Sequence, residues 1–210
     1  MPSSSPLITH SVAKAAQWLN AGKLLAYPTE SVWGIGCDPF DKSAVQQLLD
    51  IKQRPISKGM IVVTDKVQRI EPLLALLSDE QRQTVLDSWS QYHQKQAFTW
   101  LLPLGDPLEL TVPIPSWITG AHQSVAVRVI AHPLIQQLCA CLVSAANPYG
   151  FLVSTSCNPS EQPPAVSLTQ AQAYFVNNDL AAQVGYLQGD TLGYILPSQI
   201  HDALTGTIIR

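Results

Sequence analysis

Charge is scarce in this 210-residue chain: only 13% of residues are Asp, Glu, Lys or Arg, against roughly 25% in soluble domains. The 12 cations are outnumbered by 15 acids, giving a formal charge of −3. A protein built to grip nucleic acid neutralises phosphates with a basic face, so that class is disfavoured, while a local basic pocket is not. The four cysteines (Cys37, Cys139, Cys141, Cys157) are too few for a disulfide scaffold in a chain of this size, and no Cys-x-x-Cys pair suggests a zinc site. They read as thiols, with Cys139 and Cys141 as small buried hydrophobes on different sides of a helix. The five histidines lack ligand spacing, so no protein-held metal is expected. Long apolar runs are also missing. Leu73–Leu77 and Leu134–Ala146 are short or broken by glutamines, below the ~20 residues that span a bilayer. The start, Met1-Pro2-Ser3-Ser4-Ser5-Pro6, has neither a basic n-region nor an apolar h-region. The expected location is therefore the cytoplasm, with residues 1–8 as a flexible tail.

Common nucleotide and nucleophile signatures are absent as well. There is no G-x-x-x-x-G-K-[ST], Gly34-Ile35-Gly36 is a bare G-x-G, and no G-x-S-x-G elbow occurs. Any nucleotide must be held in a less common way.

What the chain does have is apolar residues, 46% of the total, and a length that buries one sizeable core, so a single domain over 1–210 is expected. Helical and extended patterns alternate throughout. Val12, Ala15, Ala16 and Leu19 have helical spacing, with Gly22 as a stop, and Leu24–Tyr27 follows as a buried strand. Asp41 can cap a helix carrying Ala44, Val45, Leu48 and Leu49, which Pro55 halts; Met60–Thr64 is the next strand. Helices are expected over Val67–Leu77 and Asp79–Trp89, and strands over Ala97–Leu102 and Ser124–Ile130. A proline-rich loop should join these strands. Pro133 suits the first turn of a helix reaching about Ala146, Phe151–Ser154 reads as a strand, and Leu168–Val176 as a helix before short terminal strands. The expected fold is α/β: a twisted mixed β-sheet flanked by helices on both faces.

Three polar clusters fall at predicted strand or helix ends, where open α/β sheets hold ligands. In Tyr27-Pro28-Thr29-Glu30-Ser31, two hydroxyls and a carboxylate could bind an amino acid or nucleotide, or could simply cap a turn. Lys52-Gln53-Arg54-Pro55-Ile56-Ser57-Lys58 gathers three of the twelve cations. A compact ammonium beside a planar guanidinium suits polyphosphate, and the plain alternative is a solvated helix end. Ser154-Thr155-Ser156-Cys157-Asn158-Pro159-Ser160 leaves a strand with Ser154 and Ser156 on one side and Thr155 on the other. Arg128, inside the apolar run Val125-Ala126-Val127-Arg128-Val129, calls for an anionic ligand or a structural carboxylate.

These clusters, in order, resemble the YrdC family of threonylcarbamoyl-AMP synthases in its short bacterial, TsaC-type form. The match is carried by Tyr27-Pro28-Thr29-Glu30 with Gly34 and Gly36; Lys52-Gln53-Arg54-Pro55 with Lys58; Ser124–Arg128 with His132-Pro133; Ser154–Asn158; and Pro197–Gly206. The resemblance implies a YrdC-like domain around an open basic cavity in which ATP and L-threonine lie side by side. It implies an enzyme, a nucleotidyltransferase that joins threonine and bicarbonate or CO2 to the AMP of ATP, releasing pyrophosphate. A separate transferase complex would then pass the threonylcarbamoyl group to tRNA, which this chain itself would contact weakly if at all. Carried over to this sequence, Lys52 and Arg54 are the catalytic pair. Lys52, Arg54, Lys58, Ser156 and Asn158 bind ATP with its Mg2+. Thr29, Ser31, Arg128 and Ser154 surround threonine. A dianionic carbamate approaching an anionic phosphate needs clustered cations, so the chemistry is alignment and charge stabilisation without a side-chain nucleophile. The chain departs from the family at Trp89–Phe98, where a Trp-Pro-Gly-Pro turn is usual before the strand containing Thr99, and at Tyr194, near the place of a tail arginine. The competing reading is a non-catalytic RNA-binding or ribosome-maturation module that uses the same cavity.

Overall fold

In the computed structural model, residues 7–90, 95–106, 110–177, 181–196 and 198–210 are described. Residues 91–94 of the departing Trp89–Phe98 segment, and Pro197 of the tail motif, lie outside them. Nine strands form one mixed sheet in the order β1-β8-β2-β3-β7-β4-β6-β5-β9. The strands are β1 (Ile8–Thr9), β2 (Leu24–Pro28), β3 (Trp33–Gly36), β4 (Ile61–Thr64), β5 (Phe98–Pro103), β6 (Ser124–Val129), β7 (Leu152–Ser156), β8 (Val184–Leu187) and β9 (Gln199–Asp202). β3 and β7 run antiparallel to their neighbours at the centre, with parallel pairs β8–β2 and β4–β6 outside them.

The helices are α1 (Val12–Asn20), α2 (Lys42–Lys52), α3 (Glu71–Leu74), α4 (Asp79–Ser90), α5 (Ser116–Thr119), α6 (Pro133–Cys141) and α7 (Leu168–Phe175). Asp41 caps α2 as expected, accepting from the Ser43 and Ala44 amides, a contact worth ~1 kcal/mol. Because strand side chains alternate, the sheet has two distinct faces. One is wholly covered: α2, α3, α4 and α7 pack Leu48, Leu74, Trp89 and Phe175 against Val62, Trp100, Val127 and Val153. The other is covered only at one end, where α1 and α6 set Leu19 and Leu138 over Leu25, Tyr27, Val63 and Leu152. The remaining part of that face carries Gly34, Ser154, Ser156, Ile61, Ala126 and Arg128, and it is open.

Five details differ from the sequence reading. Ile8 lies in β1, parallel to β8, although 1–8 was expected to be a flexible tail. β3 was not anticipated, since two glycines in four residues give little strand propensity. It exists because backbones must touch there: a Cβ on Gly36 would sit 1.6 Å from the Val153 carbonyl oxygen. The helix expected over Val67–Leu77 is instead a 3-10 turn and the four-residue α3. α6 stops at Cys141, well before Ala146, where Ser144 and Asn147 close a reciprocal backbone turn. Cys141 is consequently exposed, while Cys37, Cys139 and Cys157 are buried.

Candidate active site

The open part of the face is the floor of a cavity of about 780 Å³, within the range of small-molecule sites. Of the residues expected to serve the site, Thr29, Ser31, Lys52, Arg54, Lys58, Arg128, Ser154 and Ser156 all line it, and Asn158 does not. Five cations border the space (Lys52, Arg54, Lys58, Arg128 and Arg210), and no Asp or Glu side chain does among the described residues that line it. In a chain of net charge −3, this concentrates positive charge where a small ligand can reach it.

Each cation is held differently. Lys52, the last residue of α2, is buried and donates to the carbonyls of Ser156 and Asn158 (2.7 and 2.5 Å) and to Asn158 Oδ1 (3.1 Å). All three ammonium protons are thus committed to the end of β7 and the loop that follows it. The Asn158 amide nitrogen is committed too, to the carbonyls of Pro159 and Gln162. Asn158 therefore sits behind the cavity wall as Lys52's partner. Burial pushes the Lys52 pKa down to about 8, opposed by Cys157 and reinforced by the Arg54 charge.

Arg54 folds back on its own loop, donating to the Gly59 carbonyl from Nε and Nη2 (3.3 and 2.9 Å). Its pKa is lowered by burial and by the Arg210 charge. Gly59, at φ +61°, ends the short 3-10 turn of Ile56–Lys58. Any side chain there would meet the Thr119 carbonyl at 2.8 Å, so α5, which was not foreseen, fixes the position of the Lys58 loop.

Arg128 is 9% exposed and projects from β6 beside Glu30. The two approach to 3.7 Å, too far for a hydrogen bond. Glu30 Oε1 instead accepts from the Ala131 amide at 2.8 Å. Glu30 Oε2 and Arg128 Nε have no hydrogen-bond partner in the protein. The two alternatives for Arg128, ligand or structural carboxylate, are therefore both partly met: Glu30 offsets its charge and leaves its Nε without a partner. Thr29 donates its hydroxyl to the Val32 carbonyl at 2.7 Å, tightening the turn that carries Ser31. Thr99 is fully buried on β5, two residues from the cavity-lining Leu101, and its hydroxyl also lacks a partner.

Sequence reasoning missed Arg210, Ser124, Thr119 and Ser198, which also line the cavity. Arg210 reaches it because residues 207–210 fold back along β9, a pairing that no local pattern announces. Among the described residues there is no group of three or more His, Cys, Asp or Glu placed to hold a metal, and no helix long and apolar enough to cross a membrane.

Fold and cavity together define an α/β protein that leaves part of one sheet face open, with cationic and hydroxyl side chains in the lining of that space. Residues 17–210 match the Sua5/YciO/YrdC family model, Telomere recombination. The chain belongs to this family. It is 65% identical over 216 residues to a threonylcarbamoyl-AMP synthase of Psychrobacter cryohalolentis, covering 100% of both chains. It is 46% identical over 205 residues to one of Acinetobacter baumannii, covering 97% of this chain and 100% of that one. Among solved structures, P. abyssi Sua5 complexed with L-threonine shares the fold with a TM-score of 0.71 at 24% identity; the match covers 94% of this chain and 53% of that longer one.

Proposed function

We propose that this chain is a threonylcarbamoyl-AMP synthase, forming L-threonylcarbamoyladenylate and pyrophosphate from L-threonine, bicarbonate or CO2, and ATP. The observation that carries the reading is the cavity, lined by five cationic side chains and no Asp or Glu, on a chain similar over its full length to synthases. The reaction brings an anionic carbamate to an anionic phosphate, and fixed positive charge is what lowers that barrier. Arg54 and Lys58 hold phosphates, with the Ser156 hydroxyl on the nucleotide. Lys52 contributes its charge from within the wall, and through Asn158 it fixes the loop that presents Ser156. Arg128, whose Nε has no partner in the protein, takes the threonine carboxylate, while Ser31, Ser154 and the turn held by Thr29 surround the amino acid. Mg2+ enters as part of the substrate, bound to ATP, since the lining offers it no Asp or Glu side chain.

The product is an activated acyl group that water destroys, so it must be handed on. The consumer is a separate transferase complex acting on tRNA, in the cytoplasm. The RNA-module reading is weaker because the cations face inward onto a small cavity, whereas a nucleic-acid surface needs them spread along an exposed face. Mass spectrometry of protein, ATP, Mg2+, threonine and bicarbonate tests the proposal. Threonylcarbamoyl-AMP and pyrophosphate are the expected new species, and unreacted ATP under conditions where a Psychrobacter relative turns over would refute it.

A further inference from the structure

Arg210 is the one cavity cation that stands outside the residues carrying the family resemblance. Its backbone is fixed: the Ile200 amide donates to its carbonyl at 2.9 Å, and the neighbouring Ile209 amide donates to the Ile200 carbonyl at 2.7 Å. Its side chain is less engaged, with a contact from Nη2 to Ser198 Oγ at the weak distance of 3.4 Å. Among the described residues, no ion pair within 4.0 Å involves Arg210, Arg54 or Lys58. Asp202, the acid of β9, turns its Oδ1 to the Leu204 and Thr205 amides. Ser198, Ile200, Ile209 and Arg210 form one wall of the cavity, and Arg54 and Lys58 belong to its lining as well. Arg54 and Arg210 line the same cavity, and the charge of Arg210 lowers the proton affinity of Arg54.

Two guanidinium groups that border one cavity, with no Asp or Glu side chain in its lining, repel each other until an anion arrives. Each planar fork donates to two oxygens, and a single phosphate has few to share between both; a chain of phosphates offers successive anionic groups. We infer that Arg210 is a polyphosphate-binding residue, closing with Arg54 a two-guanidinium clamp on the β- and γ-phosphates that leave as pyrophosphate. The inference rests on the synthase reading for the identity of the nucleotide. It assigns to the arm after β9 a part in discriminating ATP from AMP.

Calorimetric titration of inorganic pyrophosphate, ATP, AMP and threonine into wild type, Arg210→Ala and Arg210→Lys tests it. Loss of a charge-assisted contact should weaken pyrophosphate and ATP about ten- to a hundredfold in Arg210→Ala. Arg210→Lys should fall between, and AMP and threonine should bind as in the wild type. Unchanged pyrophosphate and ATP affinity in Arg210→Ala would overturn the clamp. Equal weakening of all four ligands would also overturn it, since the arm would then act only through the shape of the wall. A wild type that binds pyrophosphate but yields no threonylcarbamoyl-AMP would sink the synthase reading while leaving the clamp testable on pyrophosphate alone.

Discussion

At the residue scale, Arg128 and Lys52 show how much a side chain's role depends on partners far away in the chain. Arg128→Lys keeps a positive charge beside Glu30 but loses the fork. Threonine should bind about tenfold or more weakly while ATP affinity changes little, as two parallel titrations would read. Unchanged threonine affinity would remove Arg128 from the amino-acid site. Lys52 gives a pH prediction. Its pKa is depressed in the folded protein to about 8, so the folded form releases its proton before the unfolded form does. This group therefore adds stability as pH rises from about 8 towards the ordinary lysine value, and none of that gain exists below the window. An arriving triphosphate favours the charged form, so ATP binding near pH 8 should take up protons. Calorimetry in two buffers of different ionisation enthalpy should register that uptake, and it should vanish at pH 6 and in Lys52→Met. Lys52, Arg128 and Glu30 were all visible in the sequence as residues with chemistry to perform. What could not be read was that the Lys52 ammonium is saturated by the loop 104 positions on, or that Glu30 turns one oxygen to an amide 101 positions away. Both facts are created by strand pairing.

At the element scale, the fold was legible wherever an element carries its own signal and illegible where it is imposed from outside. α2 has an apolar stripe, a capping aspartate and a following proline, and it forms where expected. β3 has none of these, and its place between β2 and β7 is decided by the room glycine leaves. Gly36→Ala should therefore be severe, because the Val153 carbonyl is backbone and cannot swing aside. A loss of about 3 kcal/mol or more is expected, at the upper end for overpacking. Denaturant unfolding measures it, and a loss below about 1 kcal/mol would mean that β3 and β7 can separate without consequence. The polar clusters were legible because they sit at strand ends, whereas α5 and the arm after β9 matter only through what they touch.

At the scale of the whole molecule, the cavity joins the turn after β2, near the start of the chain, to the arm beyond β9 at its other end. Substrate choice belongs to this assembled space. If threonine's methyl group meets an apolar notch, serine should be a poorer substrate by ~1–3 kcal/mol in kcat/KM, the worth of one methyl. Competition kinetics with both amino acids would show it, and equal use would count against a threonine-shaped site. The sheet order has a consequence for how the protein is made. β5 has β6 on one edge and β9 on the other, and β9 begins at Gln199, long after β5 ends at Pro103. At roughly 5–20 residues per second, a ribosome needs on the order of 5–20 s to supply that partner. Throughout this interval the apolar strand Phe98-Thr99-Trp100-Leu101-Leu102-Pro103 offers an unpaired edge, the usual starting point of intermolecular β-pairing. The strand that walls the cavity is thus also the one that ends the nascent chain's exposure to aggregation, and messages cut short before codon 199 should yield insoluble protein.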